Sequence, residues 1–214
     1  MLEEGLRKPV DTLGDDGLVS FFLAYTGLRW GEMAALRVKS LDLESRRIEV
    51  AEAVSTPRGK IIWGTPKSHE RRSVPFPKIL AEQLVKQCVG KSPEDLVFQG
   101  RDGGIMRSGN FRTRSWLPAL DALSRSDFAI PAMTMHDLRH TAASLAISAG
   151  ANVKAVQQML GHRSAAMTLD VYADLFEDDL DAVAVALNGG AVSALVGELW
   201  AEDEKSRSST SPTE

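Results

Sequence analysis

Cysteine is nearly missing from this chain: Cys88 stands alone among 214 residues, so no internal disulfide can form and the disulfide-stapled secreted classes are excluded. Proline and glycine, at 9 and 17, are too few and too irregularly spaced for a collagen-like protein. Aromatic residues make up 6% of the chain, and its tyrosines are Tyr25 and Tyr172. The longest apolar stretch, Ala182 to Leu199, is broken by Asn188-Gly189-Gly190, which leaves each half short of the roughly 20 residues needed to cross a bilayer. It reads as helix, turn, helix in water. Met1 leads into Leu2-Glu3-Glu4-Gly5 without the basic start and apolar core of a signal peptide, and no Asn-x-Ser/Thr acceptor occurs. These absences imply a reducing cytosol.

What is present suits one globular domain with enough chain for a substantial core: 43% of residues are apolar and 25% charged. The formal net charge of −4, taken whole, argues against a nucleic-acid partner. Its distribution argues the other way. Residues 51–120 carry 12 Lys and Arg against 6 Asp and Glu, whereas residues 121–214 carry 6 against 14. The acidic excess lies late, in Glu177-Asp178-Asp179, Asp181, Glu198 and Glu202-Asp203-Glu204. Without further evidence such blocks are ordinary solvated surface.

The apolar run from Leu18 to Tyr25, after Asp15-Asp16, predicts a buried helix stopped at Gly27. A second helix is expected over Trp30 to Arg37, turning Met33, Leu36 and Leu41 to the core. Ile48, Val50 and Ala53-Val54, then Pro57-Arg58-Gly59-Lys60, then Ile61-Ile62-Trp63 read as strand, turn, strand. Arg72 to Pro75 adds a short third strand, for one small antiparallel sheet, and Pro77 opens a helix running to about Cys88. Ser108 to Leu123 has helical spacing interrupted near Pro118, with Arg107, Arg112 and Arg114 on its exposed face. Leu138, Ala142, Leu145 and Ala149 mark the inner stripe of another helix, and Asn152 caps a last one that Gly161 ends. The class is α+β, mostly helical, and from Ser206 onward the composition is too polar to order itself.

The chemistry concentrates in a few short segments. His136 and Arg139, three apart at the start of a helix, project from one face and set a proton-transfer group beside a planar anion fork. His136 and His140 have the spacing of a helical zinc site, but Asp137 stands where the metalloprotease pattern needs Glu, so no metal is expected. His162 follows Leu160-Gly161, where a glycine turn can aim its ring into a cleft, and Tyr172 comes ten residues later. Arg29 and Glu32 follow a glycine turn at i, i+3, which alone would be an exposed helix ion pair worth little.

Taken together, Thr26-Gly-Leu-Arg29-x-Gly-Glu32, His136-x-x-Arg139-His140-Thr141, Leu160-Gly-His162 and Tyr172 resemble the tyrosine recombinases, the phage integrase family, and look most like integrases of actinobacterial phages and prophages. The likeness spans about Asp15 to Phe176. It implies the catalytic fold of that family, with a small antiparallel sheet. It also implies a catalytic lysine in a turn between strands; Thr65-Pro66-Lys67-Ser68 resembles that segment, with Lys60 in the preceding turn a weaker rival.

The reaction implied is site-specific recombination of double-stranded DNA through a 3′-phosphotyrosyl intermediate at Tyr172. A five-coordinate phosphorus needs fork-shaped cationic donors on its non-bridging oxygens, which Arg29 and Arg139 supply, with His162 adding a hydrogen bond. His136 is expected to take or share the Tyr172 proton, and Lys67 to protonate the leaving 5′-hydroxyl. Glu32 orients Arg29 or a neighbouring histidine, and His140 supports the set from behind. These cations replace the charge a metal would bring, so no cofactor is required. Arg58, Lys60, Arg71, Arg72, Arg112 and Arg114 are expected to track the phosphate backbone.

By the same resemblance, the chain is a monomer when free and a homotetramer on two synapsed attachment sites in the nucleoid, with an excisionase or a host DNA-bending protein as possible helpers. Residues 1–200 form the catalytic domain, helices within 178–200 dock in cis or in trans, and 201–214 form a tail. The N-terminal core-binding domain of such proteins is absent from this chain, which fits a catalytic fragment and a truncated gene product equally. Two other classes compete: a type IB topoisomerase-like enzyme that reseals the strand it cuts, and a non-catalytic DNA-binding remnant.

Overall fold

The computed structural model describes residues 16–66, 71–125 and 133–176, with Val185 and Asn188. The apolar run near the start folds as α1, Gly17–Thr26, in which Val19, Phe21, Phe22, Leu23 and Ala24 are all buried. A helix apolar on nearly every side belongs inside a core. It ends where Gly27 takes φ 63° and returns its N–H to Leu23 O at 3.0 Å. A Cβ at Gly27 would lie 2.8 Å from Leu160, so the turn also needs glycine for close packing.

A short helix follows, α2 at Trp30–Ala34, which stops before the expected Arg37. Long-range pairing wins there. Val97 N–H donates to Leu36 O at 2.9 Å, Val38 N–H donates to Asp95 O at 3.0 Å, and Arg37 bridges antiparallel to Leu96. Gly31 sits where α2 meets a strand backbone, since a Cβ there would stand 2.2 Å from Val54 O.

The expected single sheet divides in two. Strands β1 (Leu41–Asp42), β2 (Arg47–Val50) and β5 (Arg72–Pro75) form one antiparallel sheet in the order β1-β2-β5. Strands β3 (Ala53–Ser55) and β4 (Ile62–Gly64) form a separate hairpin. In β2, Ile48 and Val50 face the core while Arg47 and Glu49 face water, the period-2 pattern of a half-buried strand. All of β4 is exposed.

Helix α3, Lys78–Cys88, starts after Pro77 and buries Leu80 and Leu84. The interrupted helix is α4 (Ser108–Phe111), a widened π turn over Arg112–Trp116, and α5 (Leu117–Ser124) with Pro118 in its first turn. The dihedrals stay helical through Phe111, Arg112, Trp116 and Leu117, so Pro118 lies inside one continuous run that lacks its N–H at that point.

Helix α6, Asp137–Ser148, packs against α1. Its inner face carries Leu138, Arg139, Ala142, Ala143 and Ile147, while Leu145 is half-buried and Ala149 exposed. The apolar stripe read from the sequence was therefore rotated, because a buried arginine shares the inner face. Asn152 caps α7, Val153–Leu160, accepting from Ala155 N–H at 2.9 Å, and Gly161 ends it at φ 65°. Helix α8, Ala165–Tyr172, brings Tyr172 to rest 5% exposed.

By contact the chain divides after Tyr172 into two compact units. In the second, Ala173–Phe176 forms a 3-10 turn. Apart from Val185 and Asn188, both helical, the segment 178–200 in which two helices are expected lies outside the described residues, as do the tail at 201–214 and Lys67. No helix among the described residues is long and apolar enough to cross a membrane.

Candidate active site

Two segments far apart in sequence meet at one carboxylate. Glu32, with its side chain 1% exposed, accepts from the Arg29 backbone N–H at 2.8 Å and from Arg29 Nη1 at 3.1 Å. Both of its oxygens also take the fork of Arg72, at 2.9 and 2.7 Å. Burial alone would push Glu32 upward, but the hydrogen bonds and charges of Arg72 and Arg29 outweigh it and hold the carboxyl below its usual range.

Arg139 is 5% exposed and donates to two backbone carbonyls, Gly27 O and Leu160 O. These are the carbonyl of the glycine that ends α1 and the terminal carbonyl of α7, so one guanidinium on α6 fastens three elements. Burial and then the charge of Arg29 pull it down to about 10, which still leaves it cationic near neutral pH. Among the described residues, two of its five N–H groups are committed, both to backbone carbonyls.

The histidines divide their tasks differently from expectation. His140 Nδ1 lies 2.8 Å from the Tyr172 hydroxyl, whereas His136 stands edge-on to the His140 ring with centroids 5.5 Å apart. His140, expected only as support, makes the contact that His136 was expected to make. A helix rises about 6 Å over four residues, so Tyr172 meets α6 at His140, at the end of its first turn, and His136, one turn earlier, stays exposed. Burial, then His140 and Arg139, lower His136. Burial raises Tyr172, opposed by the Arg139 charge.

His162 Nδ1 lies 3.0 Å from Thr168 Oγ1, and its carbonyl accepts from Gln157 Nε2 at 3.0 Å. Burial, then the charges of Arg139 and Arg29, pull it down to about 4, so it is neutral at ordinary pH. The ring lines a cavity of about 620 Å³ whose wall includes Arg71, Lys154, Gln157 and Arg163. Lys154, Arg163 and Thr168 were not singled out from the sequence, since each looks like an ordinary polar residue of a helix or turn.

Arg58, Lys60, Arg71, Arg112 and Arg114 are exposed, in positions open to a polyanion. Arg72 is not: its side chain is 8% exposed and its Nε donates to Met159 O at 3.1 Å. The expectation of a backbone-tracking Arg72 fails because alternation along β5 sends Arg72 to the same face as buried Val74. Among the described residues, no three His, Cys, Asp or Glu side chains gather as a metal site.

The arrangement offers a phenol, an imidazole in contact with it and a cluster of guanidinium groups, which is the equipment for phosphoryl transfer to a tyrosine. The sequence profile described as the phage integrase family matches residues 14–178, a span that includes every side chain of this cluster. The chain belongs to that family. It is 30% identical over 157 residues to the integrase of Mycobacterium phage D29, covering 70% of this chain and 40% of that protein. It is also 31% identical over 165 residues to the tyrosine recombinase XerA of Saccharolobus solfataricus, covering 77% and 47%. This integrase-family chain thus spans less than half the length of these two curated relatives. Its fold matches the Tn1549 transposon integrase in complex with transposon right end DNA, with TM-score 0.72 at 24% identity over 85% of this chain and 64% of that one. The fold is that of tyrosine recombinase catalytic domains.

Proposed function

We propose that this chain cleaves and rejoins double-stranded DNA as the catalytic part of a site-specific recombinase. The observation that carries the reading is the Tyr172 hydroxyl 2.8 Å from His140, on the helix that bears buried Arg139. With His140 in the tautomer that leaves Nδ1 free to accept, the Tyr172 proton passes to the imidazole as the phenol oxygen bonds to phosphorus. The P–O5′ bond breaks, and the departing oxygen takes a proton from Lys67, leaving a 5′-hydroxyl and a 3′-phosphotyrosyl ester. Arg29, with its side chain 29% exposed, is the more open fork for the non-bridging oxygens, and Arg139 and neutral His162 complete the set.

The ester stores the energy of the broken bond, so a 5′-hydroxyl from another strand reverses the attack without ATP. Four protomers on two attachment sites would exchange strands this way, with an excisionase or host DNA-bending protein biasing direction, in the cytoplasm. Helices within 178–200 regulate the tyrosine by docking in cis or in trans; wild-type self-association in a chain truncated after Asn188 counts against the trans form.

The test uses nicked duplex DNA spanning an attachment core. Wild type is expected to give a protease-sensitive slow band on a denaturing gel, and Tyr172→Phe none. Equal bands from both would place the nucleophile elsewhere. Exchange between two marked duplexes then separates a recombinase from a topoisomerase-like enzyme.

A further inference from the structure

We infer that Arg72 is a positioning residue for this site, aligning Arg29 through Glu32 and the His162 turn through Met159; the inference rests on the function proposed above. Its three nitrogens face two directions. Nη1 and Nη2 grip both oxygens of Glu32 at 2.9 and 2.7 Å, while Nε reaches Met159 O at 3.1 Å, near the end of α7. The same two carboxylate oxygens hold the Arg29 backbone and guanidinium at 2.8 and 3.1 Å. Arg29 is therefore aimed by a carboxylate whose own orientation Arg72 fixes.

The second direction leads to His162. A Cβ at Gly161 would stand 3.1 Å from both Cδ and Nε of Arg72, so the arginine stem lies against the Gly161 backbone, one residue before the histidine. Gly161, at φ 65°, is thus held from below by Arg72 as it turns the chain into His162. Arg72 also opens β5, directly after the segment that carries Lys67. One guanidinium, 40 residues from Glu32 and 87 from Met159 in sequence, couples the strand after the Lys67 segment to both partners. A lysine keeps the charge but cannot make the bidentate fork and the Nε bond together.

The test compares wild type with Arg72→Lys in the full chain by three readouts: affinity for the nicked duplex, single-turnover cleavage, and the NMR titration of His162 without DNA, assigned with His162→Gln. The expected result is a folded variant with Kd near wild type, cleavage slowed by about 100-fold as transition-state donors lose alignment, and a His162 midpoint that moves up from about 4 toward 6.5. A purely structural role would lower the melting temperature and leave the midpoint of the folded protein alone. Wild-type cleavage with an unmoved midpoint overturns the inference. If wild type itself forms no adduct, the proposed function fails, and the His162 midpoint still decides the role of Arg72. If Arg72→Lys does not fold, Glu32→Gln replaces it: slowed cleavage at unchanged Kd supports the aiming of Arg29, and wild-type cleavage overturns it.

Discussion

Arg71 and Arg72 are neighbours in the chain and each holds a glutamate, yet they belong to different regimes. The Arg71–Glu49 pair is 3.2 Å apart with side chains 79% and 56% exposed, while the Arg72–Glu32 pair is 2.7 Å apart with side chains 8% and 1% exposed. Water already solvates the first pair, so its attraction is screened and its removal costs little. The second has left water, and each ion depends on the other for what the solvent no longer supplies. The rim of the molecule carries charges free to meet a polyanion, and the interior carries charges already committed to holding the site in shape.

The sharpest way to break this contrast is to remove the inner carboxylate. Glu32→Ala strands Arg72 beside Arg29 and Arg139 and is expected to destabilise the fold by about 3–5 kcal/mol, read from urea unfolding. A loss under 1 kcal/mol would mean that water reaches the cluster. Gly31→Ala drives a Cβ to 2.2 Å from Val54 O and forces α2 away from β3. A loss of about 1–3 kcal/mol is expected, as for other overpacked sites, and an unchanged melt would show that α2 is free to shift.

Acid separates the regimes next. His162 sits at about 4 when folded against an ordinary 6.5, so as pH falls the unfolded chain binds the proton first. Its contribution to stability is complete above pH 6.5 and is lost as pH drops toward about 4. Glu32, lowered from 4.5, adds a second loss below that value. Melting temperature across this range should fall, and His162→Gln should flatten the upper part; identical slopes would contradict a half-buried neutral ring. The smallest effect belongs to the rim. Arg71→Ala is expected to change stability by less than about 1 kcal/mol, and its loss should show instead as weaker DNA binding with a reduced salt dependence.

Much of the frame was legible in the sequence because its signals are local. Gly27 and Gly161 end helices, Asn152 caps one, and β2 alternates as read. The motif residues Arg29, Glu32, Arg139, His140, His162 and Tyr172 do converge, although nothing local joins Gly27 to Arg139 across 112 positions. The misreadings came from long-range contacts. Pairing with Leu96 shortened α2, and two strands only two residues apart went to different sheets. Arginine is seldom buried, so the sequence makes Arg72 look like surface, although its place two residues before Val74 on a strand puts it inward. The choice between His136 and His140 depends on where α8 crosses α6, which spacing within α6 does not encode.

If Tyr172 is the nucleophile, the chain supplies its own control, since Tyr25 is the other tyrosine. The deciding measurement is peptide mapping by mass spectrometry of the protein trapped on nicked attachment-core DNA. A nucleotide-phosphate adduct is expected on the peptide containing Tyr172 and none on that containing Tyr25. An adduct on Tyr25, on a serine or on a histidine would contradict it.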